Sequence, residues 1–180
     1  KKEFFSEQMA VGDIGEQIVD NKLIKKGWIP MVPAIDGAHL LDRIYMHKDK
    51  KQIRFIDIKV KILRNKYPDT GMPIRNFEEY VELQKNAGIE VYLLFVDYQL
   101  KSIYGGVLKE LFTPTVVEHM GRLINYPLKD WRSTLSPVIY APFANMKHIF
   151  DLTNEEVELL KNPSQKLLKR KEESSYGVKS

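Results

Sequence analysis

Two side chains of opposite charge stand two positions apart in FIDIKVKIL, residues 55–63: Asp57 and Lys59. In an extended chain residues i and i+2 share a face, so the acid and the base sit side by side. Ile56 and Ile58 flank the acid, which puts it next to a core. A bare carboxylate there needs a partner or a cation to offset its desolvation. The pair reads in two ways: a solvated salt bridge worth little, or half of an active site. A second acid, Asp42, stands in HLLDRIYMH among Leu40, Leu41 and Ile44, and a third, Glu16, lies in GDIGEQIVDNKL.

If the segments holding Asp42 and Asp57 pair as a hairpin, their carboxylates come close on one face. They then repel unless a divalent ion lies between them. Mg²⁺ suits such a site, because it takes a few carboxylate oxygens and keeps several waters; Mn²⁺ is the alternative. The Ile58 carbonyl is a further oxygen ligand, and Glu16 either completes the shell or holds one of its waters. An ion so held orients and acidifies an attacking water and neutralises charge building on a phosphate. Lys59 is placed to stabilise the transition state. Each residue also has a plainer reading. Glu16 can pair with Lys22 on a helix surface, and Asp42 beside Arg43 can end a strand.

These residues need elements to carry them. Apolar residues at helical spacing predict a helix over residues 3 to 26, with Gly12 and Gly15 marking either a break or a close approach to another backbone. WIPMVP is extended, since each Pro pushes its predecessor out of the helical region. HLLDRIYMH and QIRFIDIKVKIL read as two strands of a hairpin joined by KDKK. RNKYPDTGMP reads as a polar loop. IRNFEEYVELQKNAG is a helix with Phe77, Tyr80, Val81 and Gln84 near one face and Gly88 as its stop. IEVYLLFVDY is the most apolar stretch and reads as a central buried strand. Beyond residue 101 the pattern weakens. SIYGGVLKELF begins as strand and turns helical, residues 113 to 136 look irregular, and SPVIYAPF is a short strand. LTNEEVELLKN starts a helix, with Thr153 as N-cap and Glu156 three residues on. This order predicts an α/β or α+β domain with a mixed sheet.

The ordered set G-x-x-x-E on a first helix (Gly12 to Glu16), Asp42 in a strand, and Asp57-Ile58-Lys59 in its hairpin partner resembles the PD-(D/E)xK nuclease superfamily, nearest in pattern to its Holliday-junction-resolvase-like members. The resemblance spans roughly residues 8 to 100. It implies a restriction-endonuclease-like α/β core, a mixed sheet flanked by helices, with residues 101–162 as a C-terminal extension. Residues 1–162 then form one domain and 163–180 a polar tail. It also implies Mg²⁺-dependent (or Mn²⁺-dependent) hydrolysis of DNA phosphodiesters, with Asp42 and Asp57 as ligands and Lys59 as the catalytic cation. By the same resemblance Gln84, on the helix after the hairpin, supports the metal-bound water or a phosphate. Two departures are plain: Leu41 stands where the family has Pro, and Asp57 replaces the commoner Glu.

Composition narrows the partners. The 180 residues contain no cysteine, which excludes disulfides and thiolate metal sites and fits a reducing cytoplasm. No apolar run approaches the roughly 20 residues that span a bilayer, and no secretory signal is visible. The four histidines show no metal-ligand spacing, and no glycine-rich phosphate loop with Lys-Ser/Thr is present. The net charge is +4, but residues 43–66 hold nine Lys and Arg against two Asp, a local +7. A basic hairpin of this kind suits a polyanion, DNA above all, or is a solvated hairpin with Lys-protected edges. Arg43, Lys61, Arg64 and Lys66 are the candidate DNA-backbone contacts. Resolvase-like members work as dimers because two strands must be cut, so the resemblance implies a homodimer, and a small stand-alone enzyme of this kind would suit a phage or mobile element. The competing reading is a non-catalytic nucleic-acid-binding or assembly protein on the same fold; an RNA-directed nuclease is a third.

Overall fold

The computed structural model describes residues 2–31, 41–131 and 136–163. The start of HLLDRIYMH (residues 39 and 40) and the tail beyond residue 163 lie outside these residues. The chain opens with helix α1, Lys2–Ile24. Strands β1 (Trp28–Met31), β2 (Arg43–His47) and β3 (Gln52–Val60) follow, then β4 (Asp69–Pro73), helix α2 (Ile74–Ala87), β5 (Val91–Asp97) and β6 (Ser102–Val107). The last third holds a short helix α3 (Leu108–Leu111), strands β7 (Thr115–His119), β8 (Arg122–Tyr126), β9 (Leu128–Asp130), β10 (Val138–Pro142) and β11 (Lys147–Asp151), and helix α4 (Asn154–Lys161). Among the described residues no helix is long and apolar enough to cross a membrane.

A mixed six-stranded sheet in the order β1-β2-β3-β5-β6-β11 carries the molecule. Its one parallel pair is β3 with β5, where Asp57 stands beside Leu93 and Lys59 beside Phe95. The crossover between them runs through β4 and α2. Helices cover both faces. On one, Ile14, Ile18, Val19 and Leu23 of α1 pack with Ile56, Ile58, Leu94 and Val96, and Val157 and Leu160 of α4 close the same core. On the other, Tyr80 of α2 and Leu108 and Leu111 of α3 pack with Leu93, Phe95, Met72 and Ile139. Each such side chain contributes roughly 1.5–3 kcal/mol of burial. Strand β5 is buried on both faces, which explains its unbroken apolar run.

The capping box of α4 forms as its sequence signals: Glu156 N donates to Thr153 Oγ1 at 3.2 Å, and Thr153 N to Glu156 Oε2 at 2.8 Å. Gly88 ends α2 with φ at 65°. Three expectations are corrected. Residues 69–73 form β4 rather than loop, because their backbone pairs with β10 despite turn-forming residue types. Residues 115–130, expected to be irregular within 113 to 136, form strands: β7 and β8 make a hairpin, and β9 joins β10 and β4 in a three-stranded sheet. Asp42 is not inside a strand; β2 starts one residue later.

Helix α1 runs through Gly12 without a break, so of the two glycines it is Gly15 that matters. A Cβ there would lie 2.3 Å from Val60 Cγ2. The missing side chain lets α1 sit directly on the end of β3. Gly15→Ala should therefore destabilise the protein by about 1–3 kcal/mol through overpacking, despite alanine's better helix propensity. Val60→Ala in the same chain should recover much of the loss. Urea unfolding of wild type and the two variants checks this, and a Gly15→Ala protein of unchanged or greater stability would contradict the close contact.

Candidate active site

Strand β3 outruns its neighbour. The β2–β3 pairing stops at Arg43 opposite Ile56, while β3 continues to Val60 along β5. Residues 57–60 therefore have a strand on one side only, and an unpaired backbone donor there needs another acceptor. Asp42, just ahead of β2, supplies it: its Oδ2 accepts from Ile58 N at 2.8 Å. In an extended residue N–H and C=O point to the same side, so the Ile58 carbonyl also faces Asp42. The notch left by the missing length of β2 is where side chains from both layers meet.

Asp57 projects from β3 on the α2 side and is 1 % exposed. Its Oδ1 accepts from Lys59 Nζ at 2.8 Å, and the same ammonium stands 3.9 Å from Asp42 Oδ2. The Tyr80 phenol faces this carboxylate from α2, and burial followed by the Asp57 charge drives the phenol's pKa far up. Asp57 Oδ2 nonetheless has no hydrogen bond of ordinary geometry and no contact with solvent. Burial pushes the Asp57 pKa up to about 6; Lys59 works against that rise and Asp42 adds to it. For Lys59, burial lowers the pKa, but the Asp57 and Asp42 carboxylates outweigh it and the net shift is upward.

Glu16 reaches the notch from α1, the opposite layer to Asp57. Its Oε2 pairs with Arg43 Nη2 at 2.9 Å. Burial first, then the Asp42 charge, raises its pKa to about 7, with Arg43 opposing. Arg43 also donates from Nε to Asp20 Oδ2 at 3.2 Å and from Nη1 to the Asp42 carbonyl at 2.7 Å. Asp20 in turn accepts from the buried Tyr45 hydroxyl. Glu16, Asp42, Ile58, Lys59 and Lys61 line one cavity of about 780 Å³, whose far wall is the end of α4, Leu160 to Pro163. A salt bridge from Lys22 to Glu156, 2.9 Å, ties α4 against α1, so Lys22 is not Glu16's partner.

The sequence-predicted residues therefore divide. Asp42, Asp57, Ile58 and Lys59 come together, and Glu16 joins them from the edge. The three acids do not form one ligand shell. Among the described residues no group of three or more His, Cys, Asp or Glu could hold a metal ion, and Glu16 is paired with Arg43. The remaining donors, hard carboxylate and carbonyl oxygens, still suit Mg²⁺, which asks for only one or two carboxylates. The unpaired Asp57 Oδ2 is the atom that fits such an ion best. Gln84 stands elsewhere: its Oε1 accepts from Val91 N at 3.0 Å and fixes the start of β5.

Three of the four basic residues expected on a DNA backbone are engaged within the chain. Arg43 is the strut just described. Arg64 makes two 2.6 Å bonds to the buried Asp69. Lys61 Nζ donates to the Gly71 carbonyl at 2.7 Å. Lys66 is exposed. Sequence reasoning missed Tyr80 as a neighbour of Asp57, although it had placed Tyr80 on the apolar face of its helix. It also missed the Asp20–Arg43–Tyr45 network, which no spacing rule announces.

The raised Asp57 pKa gives stability a definite slope with pH. Below its unfolded value near 3.8 both states hold the proton and the group has no effect. As pH rises toward about 6 the unfolded chain releases the proton first, so stability falls across this window. Asp57→Asn lacks that fall. Relative to wild type it should gain on the order of 2–3 kcal/mol between about pH 4 and about pH 8, read from denaturant unfolding in EDTA. A difference independent of pH would show that Asp57 is not desolvated.

Among solved structures the chain is similar to Hjc, a Holliday junction resolvase from the archaeal hyperthermophile Archaeoglobus fulgidus. The two are 14 % identical with a TM-score of 0.43, over 64 % of this chain and 84 % of that one. No protein-family model matches the chain, and no curated protein matches it.

Proposed function

We propose that the protein is a metal-dependent endonuclease that hydrolyses DNA phosphodiester bonds. The observation that carries this reading is the buried Asp57 carboxylate, one oxygen of which has no hydrogen bond of ordinary geometry, against Lys59, which with Asp42 lines a large cavity. Asp57, Asp42 and the Ile58 carbonyl would hold one Mg²⁺ or Mn²⁺, with Glu16 reaching it through water. Bound there, the ion supplies an acidified water and charge neutralisation at the phosphate.

The chain's own residues do the rest. Lys59 is kept cationic by its two carboxylates and presents an ammonium to the charge that develops on the phosphate. Asp42 holds the end of β3 through Ile58 N, so the acid and the base keep their register. Arg43 fixes Glu16 and Asp20 and sets how far Glu16 can lean into the cavity. Cutting both strands of a duplex takes two such sites, which a two-fold dimer supplies.

A second reading has its own support. Glu16 and Asp57 each already face a cation within the chain, as they would in a nucleic-acid-binding or assembly protein that keeps the acids as structure. One experiment separates the two. With Mg²⁺ the purified protein should nick plasmid DNA, and Lys59→Ala should lower the rate about 10²–10³-fold while circular dichroism stays unchanged. Asp57→Ala should abolish nicking. Equal nicking by wild type and Asp57→Ala, or none by either, would favour the second reading.

A further inference from the structure

A second cavity, of about 360 Å³, adjoins the first, and Val60, Lys61 and Tyr98 line both. Its other walls include Arg64, Gly71 and Tyr140. The site is built rather than incidental. A Cβ on Gly71 would fall 2.6 Å from Tyr140 Cδ1 and 2.6 Å from the Ile139 carbonyl, so the glycine is what admits the Tyr140 ring. The Arg64 guanidinium stacks 3.7 Å from the centre of that ring and is itself locked by Asp69. Tyr140 is thus a fixed aromatic plate, and Arg64 a positioning residue for it.

Lys61 differs from Lys59 in one respect. Among the described residues no carboxylate pairs with it; its ammonium rests on the neutral Gly71 carbonyl. Its backbone is pinned by Lys61 N donating to Val96 O at 3.1 Å. The result is a partly buried cation with no ion-pair partner among the described residues, one residue past the end of β3 and lining both cavities. Two aromatic side chains stand beside it. A phosphate answers the ammonium, and a base answers the rings, since stacking tolerates any base.

We infer that the smaller cavity seats the nucleotide next to the phosphate that is cut, with Lys61 on its phosphate and Tyr98 and Tyr140 flanking its base. This rests on the nuclease reading for the word "cut", but the subsite is a matter of binding and is tested without cleavage. Wild-type protein in EDTA is titrated against fluorescein-labelled oligothymidylate and against an all-abasic oligomer of the same length, by fluorescence anisotropy. Tyr98→Ala should weaken oligothymidylate about 5- to 100-fold and leave the abasic oligomer unchanged, and Tyr98→Phe should bind as wild type. Lys61→Met should weaken both oligomers alike and reduce the salt slope by about 0.7. Equal effects of Tyr98→Ala on both oligomers, or a salt slope unmoved by Lys61→Met, would overturn the subsite. Loss of nicking activity in any variant does not enter either result, so the subsite can fail while the nuclease reading stands, and the reverse.

Discussion

One carboxylate is held almost completely out of water among few partners. Asp57 gives one oxygen to Lys59 and meets the Tyr80 hydroxyl from α2, and its Oδ2 has no bond of ordinary geometry. A folded chain tolerates such a group only where the surroundings fix it, because the desolvation cost recurs in every molecule. Here the fixing is structural. β5 holds one side of β3, Asp42 caps the other, and α1 presses on the strand end through Gly15. The rest of the molecule can be read as the support this one side chain requires.

That support explains why the site sits at a place where the sheet is incomplete. Had β2 continued alongside residues 57–60, the Ile58 amide would have been satisfied by backbone and Asp42 would have had no role in the notch. Because β2 ends early, a group from the helix layer, Glu16, and groups from the opposite face, Asp57 and Lys59, meet around the sheet edge instead of through it. The last third of the chain is part of this arrangement. α4 forms the far wall of the cavity and is bound to α1 by Lys22 and Glu156, while β6 and β11 complete the central sheet.

What could be read beforehand followed the strength of each signal. α1, the β2–β3 hairpin, α2 and β5 carry long periodic patterns, and all four form. Asp57 and Lys59 stood out because an acid and a base interrupt an apolar run at strand spacing, and their contact is found as expected. β10 was expected from SPVIYAPF, but β7, β8, β9 and β11 escaped notice because these short strands exist through pairing and not through a long periodic pattern. β4 was read as loop because its partner β10 lies far along the chain. Side-chain engagement was equally illegible. A run of nine basic residues suggested an open patch, yet Arg43 and Arg64 are turned inward by Glu16, Asp20 and Asp69, partners that lie 5 to 27 positions away. Gln84 was singled out by resemblance alone, and its bond to Val91 N, in the next strand, could not be read from local spacing.

The central claim is that the unpaired oxygen of Asp57 is a place for a divalent cation. Anomalous scattering from crystals soaked in Mn²⁺ tests it most directly. The account requires a peak at coordinating distance from Asp57 Oδ2, about 2.1 Å, with Asp42 or the Ile58 carbonyl as a second protein ligand. Density for manganese only at other carboxylates, with Asp57 still held by Lys59 and Tyr80, would contradict it.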